Sequence, residues 1–425
     1  MYSKILNKKF FLAAFILVSV IVANAQNNGP YFKDALKEKR SVFYSNIVKN
    51  INKTLALPLN DNTEDAWINA INNINLVKFQ SIFINGKIDE AVKNISARSD
   101  VFKKSLLELI NAEYPNKYTV QIKNIFFKNA TDDVKLLAMA VNYILPATTS
   151  TERKLMLQQT MALLVKNAEN AILYEASEQI KNYDKKNNTP TLKTFFNKNY
   201  LSGQVLVISI QRKNRNYPGL ALVRSSDGNF IKNSDGNLFS VGQLARSAGN
   251  MPGYITNGNT PQGIFRMDGF DTSKSFFIGP TTNVQLTMPF EFKATHFYKD
   301  SSLIDTVWNI KNYKNLLPDN FKNYKPVYES YYAGKAGRNE IIAHGTTIDT
   351  AFYSSKIYAP YTPTAGCLCT KEIWNNKTGF LQVSDQLLLT QAIKNAGGAN
   401  GYLIVIEIDD KKTPVTLADV ISFLK

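Results

Sequence analysis

The chain has 425 residues, 44% of them hydrophobic and 12% aromatic, with a formal net charge of +16. That length exceeds what one core usually supports, and the apolar content is ample for packed cores, so two domains are expected and a disordered class is excluded. The basic balance favours anionic partners, or reflects lysines that solvate helical surfaces, but it comes with no RNA- or DNA-binding signature.

In chain order, Lys4, Lys8 and Lys9 precede an apolar run from Phe10 to Ala23, followed by Ala23-Asn24-Ala25 before Gln26. A basic segment, a short apolar run and a small-x-small triplet predict a secretory signal over residues 1–25; the alternative is an uncleaved N-terminal anchor. No cysteine follows it, so no lipoprotein anchor is indicated, and no later stretch approaches twenty apolar residues, so no integral membrane segment is expected after signal removal. Setting aside the three signal lysines leaves a charge of +13. The expected compartment is periplasmic or secreted, where anionic polymers are envelope glycans and lipid headgroups.

Residues 26–190 read as an all-α domain. Val101, Leu106, Leu107 and Ile110 share one helical face, and Val134, Leu137, Ala138, Val141 and Leu145 recur at three- and four-residue steps. Ser99-Asp100 and Thr131-Asp132-Asp133 supply start signals. The tandem helices fit either a solenoid of HEAT-like pairs or a bundle. With no histidine, cysteine or phosphate-cradling loop, this half is read as packing, scaffolding or binding. Asp184 to Pro190 is polar and reads as a linker.

From residue 191 to 425 the texture is mainly β, giving an α+β multidomain chain. Strand-length runs occupy Val205–Ile210, Leu220–Val223, Phe276–Ile278 and Val284–Met288, with turns at Asp227-Gly228 and Asp235-Gly236. Glu340–Ala343 reads as a short strand ending at His344. Asp385–Ala396 reads as a helix stopped by Gly397-Gly398, and Tyr402–Ile408 is the strongest strand signal. A tyrosine-rich insert, Lys293 to Tyr332, is either a lid or a separate packing layer. The connection from Phe352 to Thr364, with Tyr353, Tyr358 and Tyr361, leads into Cys367 and reads as a lid.

His344 is one of two histidines, and Cys367 and Cys369 are the two cysteines. A thiol with an imidazole base suits nucleophilic attack on a carbonyl. A Cys367–Cys369 bridge would be strained at i and i+2. A zinc site from His296, His344, Cys367 and Cys369 lacks the usual Cys-x2-4-Cys knuckle. Three segments stand in order: Thr260-Pro261-Gln262-Gly263-Ile264-Phe265, His344-Gly345-Thr346, and Thr364-Ala365-Gly366-Cys367. Together they resemble the catalytic domain of the L,D-transpeptidases, the YkuD-like family, over about Gln204 to Asp409. Ala365 stands where the family has a histidine, Cys369 stands where it more often has Asn or Arg, and the intervening segments are longer.

The resemblance implies that Cys367 forms a thioacyl-enzyme on the tetrapeptide stem of peptidoglycan and that His344 is the base. It implies that the Gly345 carbonyl holds the other imidazole nitrogen and that the Gly366 and Cys367 amides form the oxyanion hole. Because the Phe352–Thr364 connection leads into Cys367, Thr364, Tyr358 and Tyr361 are read as the residues bordering the substrate. No metal or organic cofactor is required. A helix beginning at Thr370–Trp374, and a protonated His344, would both lower the thiol pKa. The competing readings are a structural His344 with an inert Cys367, and a wall-binding or scaffold protein whose working surface is the helical half.

Overall fold

The computed structural model describes residues 29–128, 132–185, 189–300 and 307–424. The expected signal segment and the middle of the expected linker lie outside the described residues. Among the described residues no helix is long and apolar enough to cross a membrane.

The helical half comprises α1 (Lys37–Leu55), α2 (Glu64–Val77), α3 (Ile82–Lys93), α4 (Asp100–Glu113), α5 (Thr119–Lys128), α6 (Val134–Ile144), α7 (Ser150–Lys166) and α8 (Ala171–Lys181). The start signals act as caps: Ser99 accepts from Phe102 N to open α4, and Asp133 accepts from Leu136 N to open α6. Leu106, Leu107 and Ile110 are buried, but Val101 is 58% exposed. Phe102 takes the inward place instead, because it stands at i, i+4 and i+8 with Leu106 and Ile110.

The even-numbered helices pack in series, α2 on α4, α4 on α6, and α6 on α8. This is the solenoid-like alternative rather than a simple bundle. A polar ladder runs along the inner row: Asn142 donates to Asn111 Oδ1 at 3.0 Å, and Gln179 donates to Asn142 Oδ1 at 3.0 Å. The ladder holds a loop of the β half. Asn111 donates to the Gly249 and Asn250 carbonyls, and Tyr254 donates to Gln179 Oε1 at 2.7 Å.

The β half closes into an eight-stranded mixed barrel, so the chain is α+β. Its strands are β1 (Leu206–Arg212), β2 (Gly219–Arg224), β3 (Val241–Leu244), β4 (Gly263–Asp271), β5 (Asn283–Thr287), β6 (Ile342–His344) and β7 (Leu368–Thr370), followed by a separate hairpin of β8 (Glu372–Trp374) and β9 (Leu381–Ser384), and then β10 (Tyr402–Asp409). Around the barrel the order is β1-β10-β4-β5-β6-β7-β3-β2, with β1·β10 and β6·β7 parallel. Both sides of β1 and β10 are buried, which is why they read as near-continuous apolar runs. Val207, Phe265, Leu403 and Val405 join one apolar cluster with the helical half, while Leu206, Ile208, Ile264, Ile404 and Ile406 join a second.

That second cluster contains the tyrosine-rich insert, with α9 (Ala294–Tyr298), α10 (Ile310–Asn315) and α11 (Glu329–Lys335). Tyr313 is fully buried; its hydroxyl accepts from Ile264 N at 2.8 Å and donates to Val327 O at 3.0 Å. The insert is therefore a packing layer, not a lid. Gly263, at φ +134°, lies against Ser330 Oγ and the Tyr313 hydroxyl, so a side chain there would collide with the insert.

Two further expectations are corrected. Phe276–Ile278 is a turn, with the Phe276 ring packed against Phe32 and Phe43 from the N-terminal segment. Thr370–Trp374 does not begin a helix, because Thr370 ends β7 and Glu372–Trp374 pairs with β9. The helix that does follow is α12 (Asp385–Asn395), stopped by Gly397 and Gly398 at positive φ as expected.

The halves interlock rather than meet at one hinge. Phe32 N donates to Gly379 O at 2.9 Å, and Leu381 N donates to Pro30 O at 3.0 Å. Lys78 and Glu113, 1% and 2% exposed at their side chains, pair at 3.0 Å, and Glu113 also binds Lys356 of the β half at 2.6 Å. Burial pulls Lys78 down to about 7. Glu113→Ala should therefore cost about 3–5 kcal/mol in denaturant unfolding, since it leaves the buried Lys78 without its carboxylate. A loss below 1 kcal/mol would mean that this cluster does not join the halves.

Candidate active site

The parallel pairing of β6 and β7 creates the site. Parallel neighbours need a crossover, and here it is the whole stretch from Gly345 to Cys367. Ala343 pairs with Leu368 and both enter the first apolar cluster; His344 pairs with Cys369 and, by strand alternation, faces the other side. There Leu244, Ile348, Tyr353 and Tyr358 form a small third cluster under the crossover.

The crossover is thus packed structure and not the expected lid. Tyr353 donates to Leu76 O of α2 at 2.8 Å. Tyr358, 2% exposed, stacks against the Arg246 guanidinium at 4.7 Å, so it does not border an open substrate site. Tyr361 is half-buried and lies against Gly242 of β3. Thr364 is consumed by the turn before the cysteine: its hydroxyl accepts from Gly366 N at 2.9 Å and donates to Cys367 O at 2.9 Å, and its carbonyl accepts from Ala248 N at 2.8 Å. Because the Gly366 amide already has this partner, it is not a free oxyanion donor in this state.

The three motif segments converge. Thr260 donates to Gly366 O at 2.8 Å, which ties the first segment to the third, and β6·β7 pairing ties the second to the third. Gly366 has φ +121°, and a Cβ there would meet Gly258 O at 2.5 Å and the Arg338 guanidinium. His344, 4% exposed, is hydrogen-bonded through Nδ1 to Gly345 O, the contact that the resemblance implies. Nδ1 then carries the proton and Nε2 is left as the acceptor.

Cys367 is half-buried, and its thiol donates to Glu340 O at 3.7 Å. Among the described residues the thiol bonds the Glu340 carbonyl and the imidazole bonds the Gly345 carbonyl, and no hydrogen bond joins the two side chains. Burial raises the Cys367 thiol above its ordinary value, against the Ile342 amide and the Arg338 charge. Burial pulls His344 down to about 4. Thiol and neutral imidazole, not thiolate and imidazolium, are therefore the resting pair at neutral pH. The expected lowering of the thiol fails for two reasons: no helix starts beside it, and its histidine is uncharged. Cys369 is fully buried, and burial pushes its thiol up to about 12.

Sequence reasoning missed Arg338. This guanidinium, 3% exposed, donates to Gly253 O, to Asn259 O at 2.7 Å and to Gly258 O at 2.8 Å, and reaches Gly366 O at 3.5 Å. Burial lowers it to about 10, opposed by Glu329 and Cys367. Arg338 follows Gly337 in an irregular stretch without periodicity; its nearness to His344 in sequence is the only signal that could have flagged it. Glu372 was missed as well. It sits in Thr370–Trp374, which had been read as a helix start. His296, weighed as a metal ligand, lies on α9 paired with Asp268 at 3.0 Å. Comparison with protein-family models, with curated proteins and with solved structures finds no match for this chain.

Alkylation of Cys367 by iodoacetamide should be slower at pH 7 than that of a free thiol and should climb through the alkaline range. Cys369 should stay unmodified while the protein is folded. A rate at pH 7 above that of a free thiol would contradict the raised thiol.

Proposed function

We propose that the protein is an exported cysteine acyltransferase of L,D-transpeptidase type that acts on peptidoglycan stem peptides. The observation that carries this reading is the convergence of the three motif segments on one turn, with Thr260 on Gly366 and His344 Nδ1 on Gly345 O. The Cys367 sulfur attacks the carbonyl of the third stem residue while its proton passes to Nε2 of the neutral His344. The tetrahedral intermediate collapses as the imidazolium returns that proton to the leaving amine, releasing D-alanine and leaving a thioester on Cys367. An amine of a second stem then gives a cross-link, and water gives the L,D-carboxypeptidase outcome. A base held near pKa 4 is already in its accepting form across the neutral range.

A second reading, a wall-peptide-binding protein without turnover, is favoured by one observation: the resting thiol is raised and directed at Glu340 O. A carbapenem-type β-lactam separates the two. Intact mass should show one covalent adduct on the wild type and on Cys369→Ala, none on Cys367→Ala, and acylation of His344→Ala slowed by about 10² to 10⁴. An adduct that persists in Cys367→Ala and vanishes in Cys369→Ala would reverse the nucleophile assignment. Wild-type protein that binds stem peptides but is acylated neither by them nor by the β-lactam would establish the second reading.

A further inference from the structure

His344 leans on the Gly345 carbonyl, and that carbonyl belongs to the same peptide group as the Thr346 amide. The Thr346 amide donates to Glu372 Oε2 at 3.0 Å. The chain of contacts is thus imidazole Nδ1–H to carbonyl, then across one peptide, then N–H to carboxylate. We propose that Glu372 is a positioning residue for His344, acting through the single Gly345–Thr346 peptide as the carboxylate of a triad acts directly. This rests on the reading of His344 as the base for Cys367.

The surroundings of Glu372 fit that role. Its other oxygen accepts from Ser384 Oγ at 2.7 Å, and Ser384 in turn caps α12 by accepting from Leu387 N at 2.9 Å. The neighbouring Trp374 donates to Thr346 O at 2.8 Å, so β8 fixes Thr346 at both its amide and its carbonyl. A Cβ on Gly345 would fall on the Glu372 carboxyl group, so glycine is what lets the acid lie directly beneath the turn. Glu372 is 1% exposed.

Peptide groups polarise one another along a hydrogen-bonded chain. A charged carboxylate on the Thr346 amide makes the Gly345 carbonyl a stronger acceptor, which strengthens its hold on Nδ1–H and raises the basicity of Nε2. A protonated Glu372 weakens both effects. Burial raises Glu372 to about 7, so the change falls near neutral pH. The titratable and charged groups that face it are Cys369 of β7 and Asp385 of α12, which pairs with Lys371 at 3.6 Å.

With only two histidines in the chain, the imidazole signals of a ¹⁵N-labelled full-length protein can be assigned by difference using His296→Gln. In the wild type the His344 Nδ1 proton should be visible, and its shift should move with pH near 7. In Glu372→Gln, whose amide oxygen still accepts from Thr346, the Nδ1 proton should remain and its shift should stop moving. In Glu372→Ala, checked for folding by circular dichroism, it should broaden or disappear. In parallel, Cys367 alkylation in Glu372→Gln should match the wild type near pH 5.5 and fall behind it above pH 8. The lag should be severalfold, within the roughly tenfold that a one-unit change in imidazole basicity supplies. A folded Glu372→Ala with an unchanged Nδ1 proton, or a Glu372→Gln that still titrates near 7, would overturn the proposal. If the imidazole signals behave as expected but His344→Ala leaves alkylation unchanged, the positioning stands and the base assignment fails.

Discussion

A guanidinium buried without a carboxylate partner in hydrogen-bonding range is expensive to hold, and among the described residues Arg338 is hydrogen-bonded to backbone carbonyls. Those carbonyls come from Gly253, Gly258, Asn259 and Gly366, so one side chain joins the loop before Thr260 to the turn that carries Cys367. Glycine is required at 366 because the guanidinium and the Gly258 carbonyl fill the space a side chain would take. If the guanidinium were lost, the Gly253, Gly258 and Asn259 carbonyls would lose this donor, while the Gly366 carbonyl would keep Thr260. The turn would then have only Thr260 and Thr364 to shape it. The geometry of the thiol is, in this sense, set from outside its own strand.

The helical half supplies the other side of the same clamp. Asn111, Asn142 and Gln179 lie on successive inner helices and hold the loop from Gly249 to Tyr254, which contains one of the carbonyls that Arg338 grips, Gly253, and leads into two more. The β half would fold this loop against water if it stood alone, because the loop's polar groups have been matched to amide side chains of the helices. The helical half thus meets the β half through a specific set of side-chain contacts. The N-terminal strap on Phe380 and the Lys78–Glu113–Lys356 cluster add further ties, and together they argue against two bodies joined only by a linker.

What the sequence disclosed follows physical regularity. The Tyr402–Ile408 run, the Asp-Gly turns and the caps at Ser99 and Asp133 obey local rules, and all appear in the structure. The meeting of Thr260, His344 and Gly366 was legible only through motif order, since nothing local says that residues a hundred apart touch. Three failures share a cause. Phe276–Ile278, Thr370–Trp374 and the supposed lid over Phe352–Thr364 are short segments whose conformation is decided by what they pack against. Tyr358 looked like a ligand-binding tyrosine but is buried because a parallel crossover must cover the sheet it spans. Arg338 and Glu372 work through backbone groups, and a backbone contact leaves no pattern in side-chain spacing.

The acid–base state of the site follows from the same burial. Burial favours the neutral forms of both the thiol and the imidazole, so the proposed acyl transfer requires proton transfer to accompany attack rather than precede it. That is a site poised by packing and not by preformed charge. The most direct measurement is intact mass of the full-length protein incubated with a tetrapeptide stem donor and no amine acceptor, followed by fragmentation to locate the adduct. The expected result is a gain equal to the donor less D-alanine, placed on Cys367. A folded protein that gains no mass, or one that carries the acyl group on Cys369 or elsewhere, would contradict it.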